Sequence, residues 1–177
     1  MWKISKEFDF CYGHRVWSQK LNKEYSLDDC LVCRHLHGHQ GKIQIEASAQ
    51  SLNNSMVTDF KHFNWFKDFI DNWLDHKFLI DKGDPLFPIL LPKFAFNEWI
   101  FDERGFYYLG EKTLQKESSE IVELYEGFIA VDFVPTSENL SRWFYQIVQK
   151  KMEPIGVQIE QVSFLETPKT KAIYTGE

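Results

Sequence analysis

The sequence predicts an α+β fold, and three observations carry that expectation. Period-two alternation marks strands near both ends of the chain. Two well-separated stretches carry apolar residues at helical spacing. No internal repeat is evident, although the two halves share a strand, strand, helix flavour.

From Ile4 to Tyr12, the positions Phe8, Phe10 and Tyr12 alternate with Asp9 and Cys11, the pattern of a half-buried strand, and His14 sits just beyond its aromatic face. Val16 to Leu31 is polar and without steady period, so it reads as a long loop of the kind that often carries function. A second strand runs from Gly41 to Ala49 with Ile43, Ile45, Ala47 and Ala49 on one face, and counting back by twos puts His37 and His39 on that face. Polar Gln50 to Ser55 reads as a hairpin connection into Met56-Val57-Thr58.

Asp59 is a good N-cap for a helix whose Phe63, Phe66, Phe69, Ile70, Trp73 and Leu74 recur at spacings of three and four, ending near Asp75-His76. Lys82 to Val134 is the least legible stretch: it holds Pro85, Pro88 and Pro92, is too apolar for a solvated linker, and contains a strand-like run from Ile121 to Val131. Pro135-Thr136-Ser137 announces a second helix with Leu140, Trp143, Phe144, Ile147, Val148 and Met152 in one stripe, stopped by Pro154 and Gly156. The tail alternates through Val157-Gln158-Ile159, then in shifted register through Val162, Phe164 and Glu166, with a last short strand near Ala172-Ile173-Tyr174.

A chain of 177 residues is near the usual size of one domain, so residues 1–177 are expected to form a single domain with an insertion at about 82–134. With 44% hydrophobic and 26% charged residues, the composition excludes chain-wide disorder and fibrous repeats. No stretch approaches the ~20 apolar residues that span a bilayer, and the first residues lack the apolar run of a secretory signal, so a cytoplasmic protein with no membrane partner is expected. A net charge of −6 with scattered basic residues argues against nucleic-acid binding. Cys11, Cys30 and Cys33 are an odd number of cysteines, so their interest is metal binding or catalysis rather than a disulfide framework.

The sharpest signal is that four of the six histidines, His14, His35, His37 and His39, fall within the first 39 residues. Three imidazoles from two neighbouring strands are the recipe for an open zinc site, with water or substrate in the remaining position. The bland alternative is a set of ordinary histidines. A second competitor is a compact structural zinc site, Cys30-x-x-Cys33-x-x-x-His37-x-His39. Cys33 beside a cation would favour the thiolate, a base or nucleophile. Asp75-His76 could relay a proton, or be only a polar helix end. A carboxylate on an apolar strand face, as at Glu166, costs several kcal/mol without a partner, which could be paired ligand N–H groups or a structural arginine such as Arg142. Glu138 is most simply a first-turn acid favoured by the helix dipole.

Taken together, Phe8-Asp9-Phe10 to His14, Cys33-x-x-x-His37-Gly38-His39, Met56-Val57-Thr58-Asp59-Phe60, Leu74-Asp75-His76, Pro135-Thr136-Ser137-Glu138-Asn139 and Glu166 resemble the 6-pyruvoyltetrahydropterin and 6-carboxytetrahydropterin synthase family over residues 1–81 and 135–177. The resemblance implies a T-fold, an antiparallel four-stranded sheet with two helices on one face, in a homo-oligomer, usually a hexamer. It implies His14, His37 and His39 as ligands of Zn2+, Cys33 as catalytic base, Asp75 and His76 as its relay partners, Glu166 as the pterin anchor, and Thr136 and Glu138 beside the substrate. The short Arg34-His35-Leu36 spacer before His37 favours the bacterial 6-carboxytetrahydropterin branch, whose members convert 7,8-dihydroneopterin triphosphate to 6-carboxy-5,6,7,8-tetrahydropterin for queuosine. The runners-up are pyruvoyl-type triphosphate elimination and a non-catalytic, zinc-stabilised pterin-binding or interaction module. Two features depart from the family, the length of the 82–134 segment and Ile80-Asp81 where Leu-Asn is common. Arg15, Lys20 and Arg34 are the basic residues nearest in sequence that could meet a triphosphate.

Overall fold

Alternation along the first strand sets the architecture. In a computed structural model that describes residues 1–176, Phe8, Phe10, Tyr12 and His14 are buried while Glu7, Asp9 and Cys11 are exposed, so strand β1 runs Trp2–His14, two residues past the aromatic face read from the sequence. In chain order there follow β2 (His37–Ala49), α1 (Asn64–Trp73), β3 (Lys77–Asp81), α2 (Phe87–Leu90), β4 (Ile100–Asp102), β5 (Phe106–Tyr108), α3 (Glu111–Leu114), α4 (Ser119–Glu126), β6 (Phe128–Val131), α5 (Ser137–Met152), β7 (Gln158–Thr167) and β8 (Thr170–Tyr174). The strands are hydrogen-bonded in the order β4-β5-β6-β3-β1-β2-β7-β8. The fold is α+β, as expected, but the four-stranded antiparallel sheet is corrected to a mixed sheet of eight strands. The physical reason is that β1 is not an edge: its end pairs in parallel with β3, Tyr12 opposite Lys77 and Gly13 opposite Phe78, and β3 pairs in parallel with β6. Parallel pairing needs long crossovers, and the 82–134 segment supplies the one from β3 to β6.

The chain forms two compact units, each built from separated segments. The first comprises Met1–Cys11, His39–Asp75 and Thr136–Glu177. Its core lies where α1 and α5 cover one sheet face: Phe66 stands edge-on to Phe8 with ring centroids 5.2 Å apart, and Phe144 meets Phe10 at 6.2 Å and Phe164 at 5.9 Å. Thr136 caps α5 by accepting the Asn139 N–H, and the stripe Leu140, Trp143, Phe144, Ile147, Val148 and Met152 is buried. Strand β7 pairs antiparallel with β2, and its predicted register shift is a bulge: Glu46 faces Gln161 but Ala47 faces Ile159, which leaves Glu160 unopposed. Two local expectations are corrected here. Met56-Val57-Thr58 forms no strand, only a bridge from Asn53 to Met56, and Asp59 caps a single 3-10 turn (Phe60–Phe63) that precedes α1.

The second unit comprises Tyr12–Gly38 and His76–Pro135. It has its own core of Ile80, Phe87, Leu91, Trp99, Leu109, Leu114, Tyr125 and Ala130. The strand-like run from Ile121 to Val131 is split: α4 takes Ser119–Glu126, Gly127 ends it, and only Phe128–Val131 is strand. Burying Tyr125, whose hydroxyl accepts the Lys93 N–H at 2.8 Å, decides for the helix over the β preference of Ile121 and Val122. Among the described residues, no helix is long and apolar enough to cross a membrane.

Candidate metal and catalytic site

The two strands that carry the histidines approach closely because the residues between the ligands are small. A Cβ on Gly38 would lie 2.8 Å from the Tyr12 carbonyl oxygen, and one on Gly13 would lie 2.4 Å from the Phe78 ring. The glycine of His37-Gly38-His39 therefore lets the start of β2 come against the end of β1. The His14 and His37 rings stand 4.5 Å apart between centroids, and strand alternation puts His39 on the same face as His37. His14, His37 and His39 each offer a ring nitrogen within 4.8 Å of the others, with His14 fully buried.

The donor set fits a metal. The His14 Nδ1 stands 2.6 Å from the Pro135 carbonyl oxygen and the His37 Nδ1 stands 2.8 Å from that of His35. A carbonyl only accepts, so both Nδ1 atoms carry the proton and each Nε2 carries the lone pair through which an imidazole coordinates a metal. Three imidazoles, two of them with the tautomer fixed, could hold a zinc-like ion with a position open to water or substrate. No cysteine belongs to this group, so among the described residues the four-ligand Cys30/Cys33 alternative does not assemble.

Cys33 lies half-buried in a short 3-10 turn, Val32–Arg34, at the end of the loop that follows β1. Its carbonyl accepts the Val16 N–H at 2.7 Å and its own N–H donates to Gln19 Oε1 at 3.1 Å. Asp75 and His76 follow α1, and His76 has φ of +61°, a left-handed conformation that helix ends normally give to glycine. A non-glycine residue held there costs of order 1 kcal/mol or more, and such strain concentrates at working sites. The thiol found beside this pair is that of Cys11. Asp75 Oδ1 accepts the Cys11 N–H at 2.8 Å, and the side chains of Cys11, Asp75 and His76 offer ligand atoms within 4.8 Å of one another, a group that does not include Cys33. The sequence marked Cys11 only as one of three cysteines of interest for metal binding or catalysis and did not single it out beside Asp75-His76, although alternation places it on the exposed face of β1.

Glu166 lies near the end of β7, part-buried, its Oε1 3.6 Å from His39 Nε2. This sets the expected pterin anchor against the histidine group. Thr136 is the α5 cap and Glu138 lies in its first turn, so both have a local structural role. Of the basic residues considered for a triphosphate, Arg15 is buried against Asp84, Nε to Oδ2 3.2 Å, and Arg34 Nε donates to the Trp17 carbonyl at 2.8 Å.

Comparisons with known proteins place the chain in a family. The family model described as 6-pyruvoyl tetrahydropterin synthase matches residues 3–177. A curated relative, 6-carboxy-5,6,7,8-tetrahydropterin synthase of Aquifex aeolicus, is 31% identical over 192 residues, covering 99% of this chain and 99% of its own. An uncharacterized protein of Wolinella succinogenes, known from its crystal structure, is 52% identical with a TM-score of 0.96, covering 99% of this chain and 98% of its own. The Caenorhabditis elegans 6-pyruvoyl tetrahydropterin synthase shares the fold at 17% identity and a TM-score of 0.56, over 99% of this chain and 95% of its own. The chain belongs to the 6-pyruvoyl tetrahydropterin synthase family.

Proposed function

We propose that the protein is a zinc-dependent lyase that converts 7,8-dihydroneopterin triphosphate to 6-carboxy-5,6,7,8-tetrahydropterin, a step toward queuosine. The single observation that carries this reading is the group of three imidazoles, two with Nδ1–H fixed on backbone carbonyls, beside the Glu166 carboxylate. The whole-length similarity to the Aquifex synthase supports the carboxy branch. A zinc ion held by His14, His37 and His39 would act as a Lewis acid toward the substrate's side-chain oxygens.

The chain's own residues do the rest. Cys33 removes a carbon-bound proton of the side chain, and Asp75 with His76 returns one elsewhere, the carboxylate orienting the imidazole. Glu166 accepts the paired N–H groups of the pterin, which sets the ring beside the histidines. Thr136 and Glu138 line the substrate from the start of α5. Loss of triphosphate and carbon–carbon cleavage follow. The working form is a homo-oligomer, a hexamer in this reading, and its compartment is the cytoplasm.

The deciding experiment incubates purified protein with 7,8-dihydroneopterin triphosphate and identifies products by mass. The 6-carboxy product is expected, a 6-pyruvoyl product would transfer the chain to the runner-up reading, and no product would favour a binding module. In parallel, His37→Ala is expected to lose most of the bound zinc. Cys33→Ser keeps about one zinc per chain and loses turnover by at least about 100-fold, in line with removal of a general base. Cys11→Ser serves as the comparison, and loss of turnover there instead would reassign the base.

A further inference from the structure

We propose that the turn after β3, where the 82–134 segment begins, is a clamp that holds the Cys33 loop in its working position through Trp17 and Arg15. This rests on the reading of Cys33 as the base. Three consecutive residues after β1 face two ways. Arg15 and Trp17 reach the turn: the Trp17 Nε1–H donates to Asp81 Oδ2 at 2.8 Å, and Arg15 Nε lies 3.2 Å from Asp84 Oδ2. Between them, the Val16 N–H donates to the Cys33 carbonyl at 2.7 Å, while the Trp17 carbonyl accepts Arg34 Nε at 2.8 Å. These hydrogen bonds and this ion pair thus connect the turn to Cys33 through one tripeptide.

Both carboxylates are fixed before they meet their partners. Asp81 Oδ1 accepts the Gly83 N–H at 2.9 Å, Asp84 Oδ1 accepts the Leu86 N–H at 2.8 Å, and the Asp84 N–H donates to the Asp81 carbonyl at 2.9 Å. Asp81, Asp84 and Arg15 are buried, at 8%, 2% and 9% exposure. A buried ion pair adds little net stability over well-packed apolar side chains, but its geometry specifies one register where an apolar contact would tolerate several. Trp17 and Arg15 are positioning residues: they touch no reacting atom and act through the backbone of Cys33 and the side chain of Arg34. The tripeptide thereby ties the start of the 82–134 segment to the thiol on which the reaction is read to depend.

The test uses the full chain. Trp17→Phe keeps an aromatic ring and removes one donor, Arg15→Met removes the charge, Arg15→Lys restores it, and Lys23→Ala is the control, since Lys23 pairs with exposed Asp29 on the same loop. Amide hydrogen exchange of the peptide spanning residues 30–36, steady-state kinetics and bound zinc are measured together. Trp17→Phe and Arg15→Met are expected to exchange at least ten-fold faster there and to lose at least ten-fold in kcat, with KM within three-fold and zinc unchanged. Arg15→Lys recovers most of both losses, and Lys23→Ala matches the parent. Exchange at the parent rate in Trp17→Phe overturns the clamp, and that variant keeps the question answerable if Arg15→Met does not fold. If Cys33→Ser turns over like the parent, the reading of Cys33 fails and this proposal with it. If Cys33→Ser is inactive while Trp17→Phe exchanges faster at unchanged kcat, only the positioning role fails.

Discussion

Gly38 is the residue on which the histidine group depends without supplying a ligand. Its missing Cβ would sit 2.8 Å from the Tyr12 carbonyl oxygen, a backbone atom that cannot swing aside. Gly38→Ala should therefore part the ends of β1 and β2, costing about 1–3 kcal/mol as overpacking does and lowering zinc affinity at least ten-fold, as a displaced ligand would. Zinc titration followed by a melt checks this, and unchanged affinity would mean the close approach is not what aligns His14 with His37. Glu166 makes a separate prediction. Replaced by Gln it presents an amide donor where a pterin N–H is read to donate, so binding of a pterin analogue should weaken at least ten-fold while the melting temperature moves by only a few degrees. Tight binding by the variant would make Glu166 a structural neighbour of His39, 3.6 Å away, and nothing more. The three histidines were legible in the sequence because a strand's period of two fixes the side of each residue. The partnership of Asp75 with Cys11 was not, since it joins residues 64 apart that no local pattern relates.

Among the elements, the ones read correctly are those whose period repeats several times. Strands β1 and β2 and helix α5 show four or more turns of their pattern, and even the bulge in β7 was visible as a shift in parity at Glu160. The short elements between β3 and α5 run only three to eight residues, too few for any period to declare itself, and their places are set by a core assembled from distant residues such as Phe87 and Tyr125. The hairpin of β4 and β5 illustrates how such pieces are held. Asp102 accepts both the Nε and Nη2 hydrogens of Arg104 at 2.7 Å and the Arg104 N–H at 2.9 Å, and this hydrogen bonding holds its carboxyl below the usual carboxylate range. A carboxyl whose folded pKa is depressed contributes stability above its unfolded value near 3.9, and that contribution is lost as pH falls through the folded value. Asp102→Asn should accordingly lower stability by ~1 kcal/mol at pH 7, and the gap to the parent should be smaller in acid, below the unfolded value near 3.9. Urea melts at both pH values measure this, and a gap that persists at low pH would place the effect in packing rather than charge.

At the scale of the whole molecule, the 82–134 segment decides whether β3 ends a sheet or lies within one. Phe128 to Val131 pair with Phe78 to Asp81 along the full length of β6 and all of β3 but Lys77, and the Ile80 side chain is fully buried in the segment's own core. Replacing the segment by a short Gly-Ser connection removes that partner strand and returns at least Phe78 and Ile80 toward water. A fully buried side chain of the size of Ile80 contributes about 1.5–3 kcal/mol and the part-buried Phe78 less, so the loss should reach ~2–5 kcal/mol, a large share of the 5–15 kcal/mol that ordinarily separates folded from unfolded chains. For a chain of this length that corresponds to a fall in melting temperature of about 4–20 °C. The unpaired β3 would also offer free N–H and C=O groups to another copy, so the light-scattering mass should rise or become heterogeneous. Melting and light scattering on the same sample test both halves. A replacement that melts within 2 °C of the parent, by the same ~2–4 °C per kcal/mol conversion, and keeps its mass would mean that β3 and β1 hold their places without the segment, which would then be an appendage to the site rather than part of its frame.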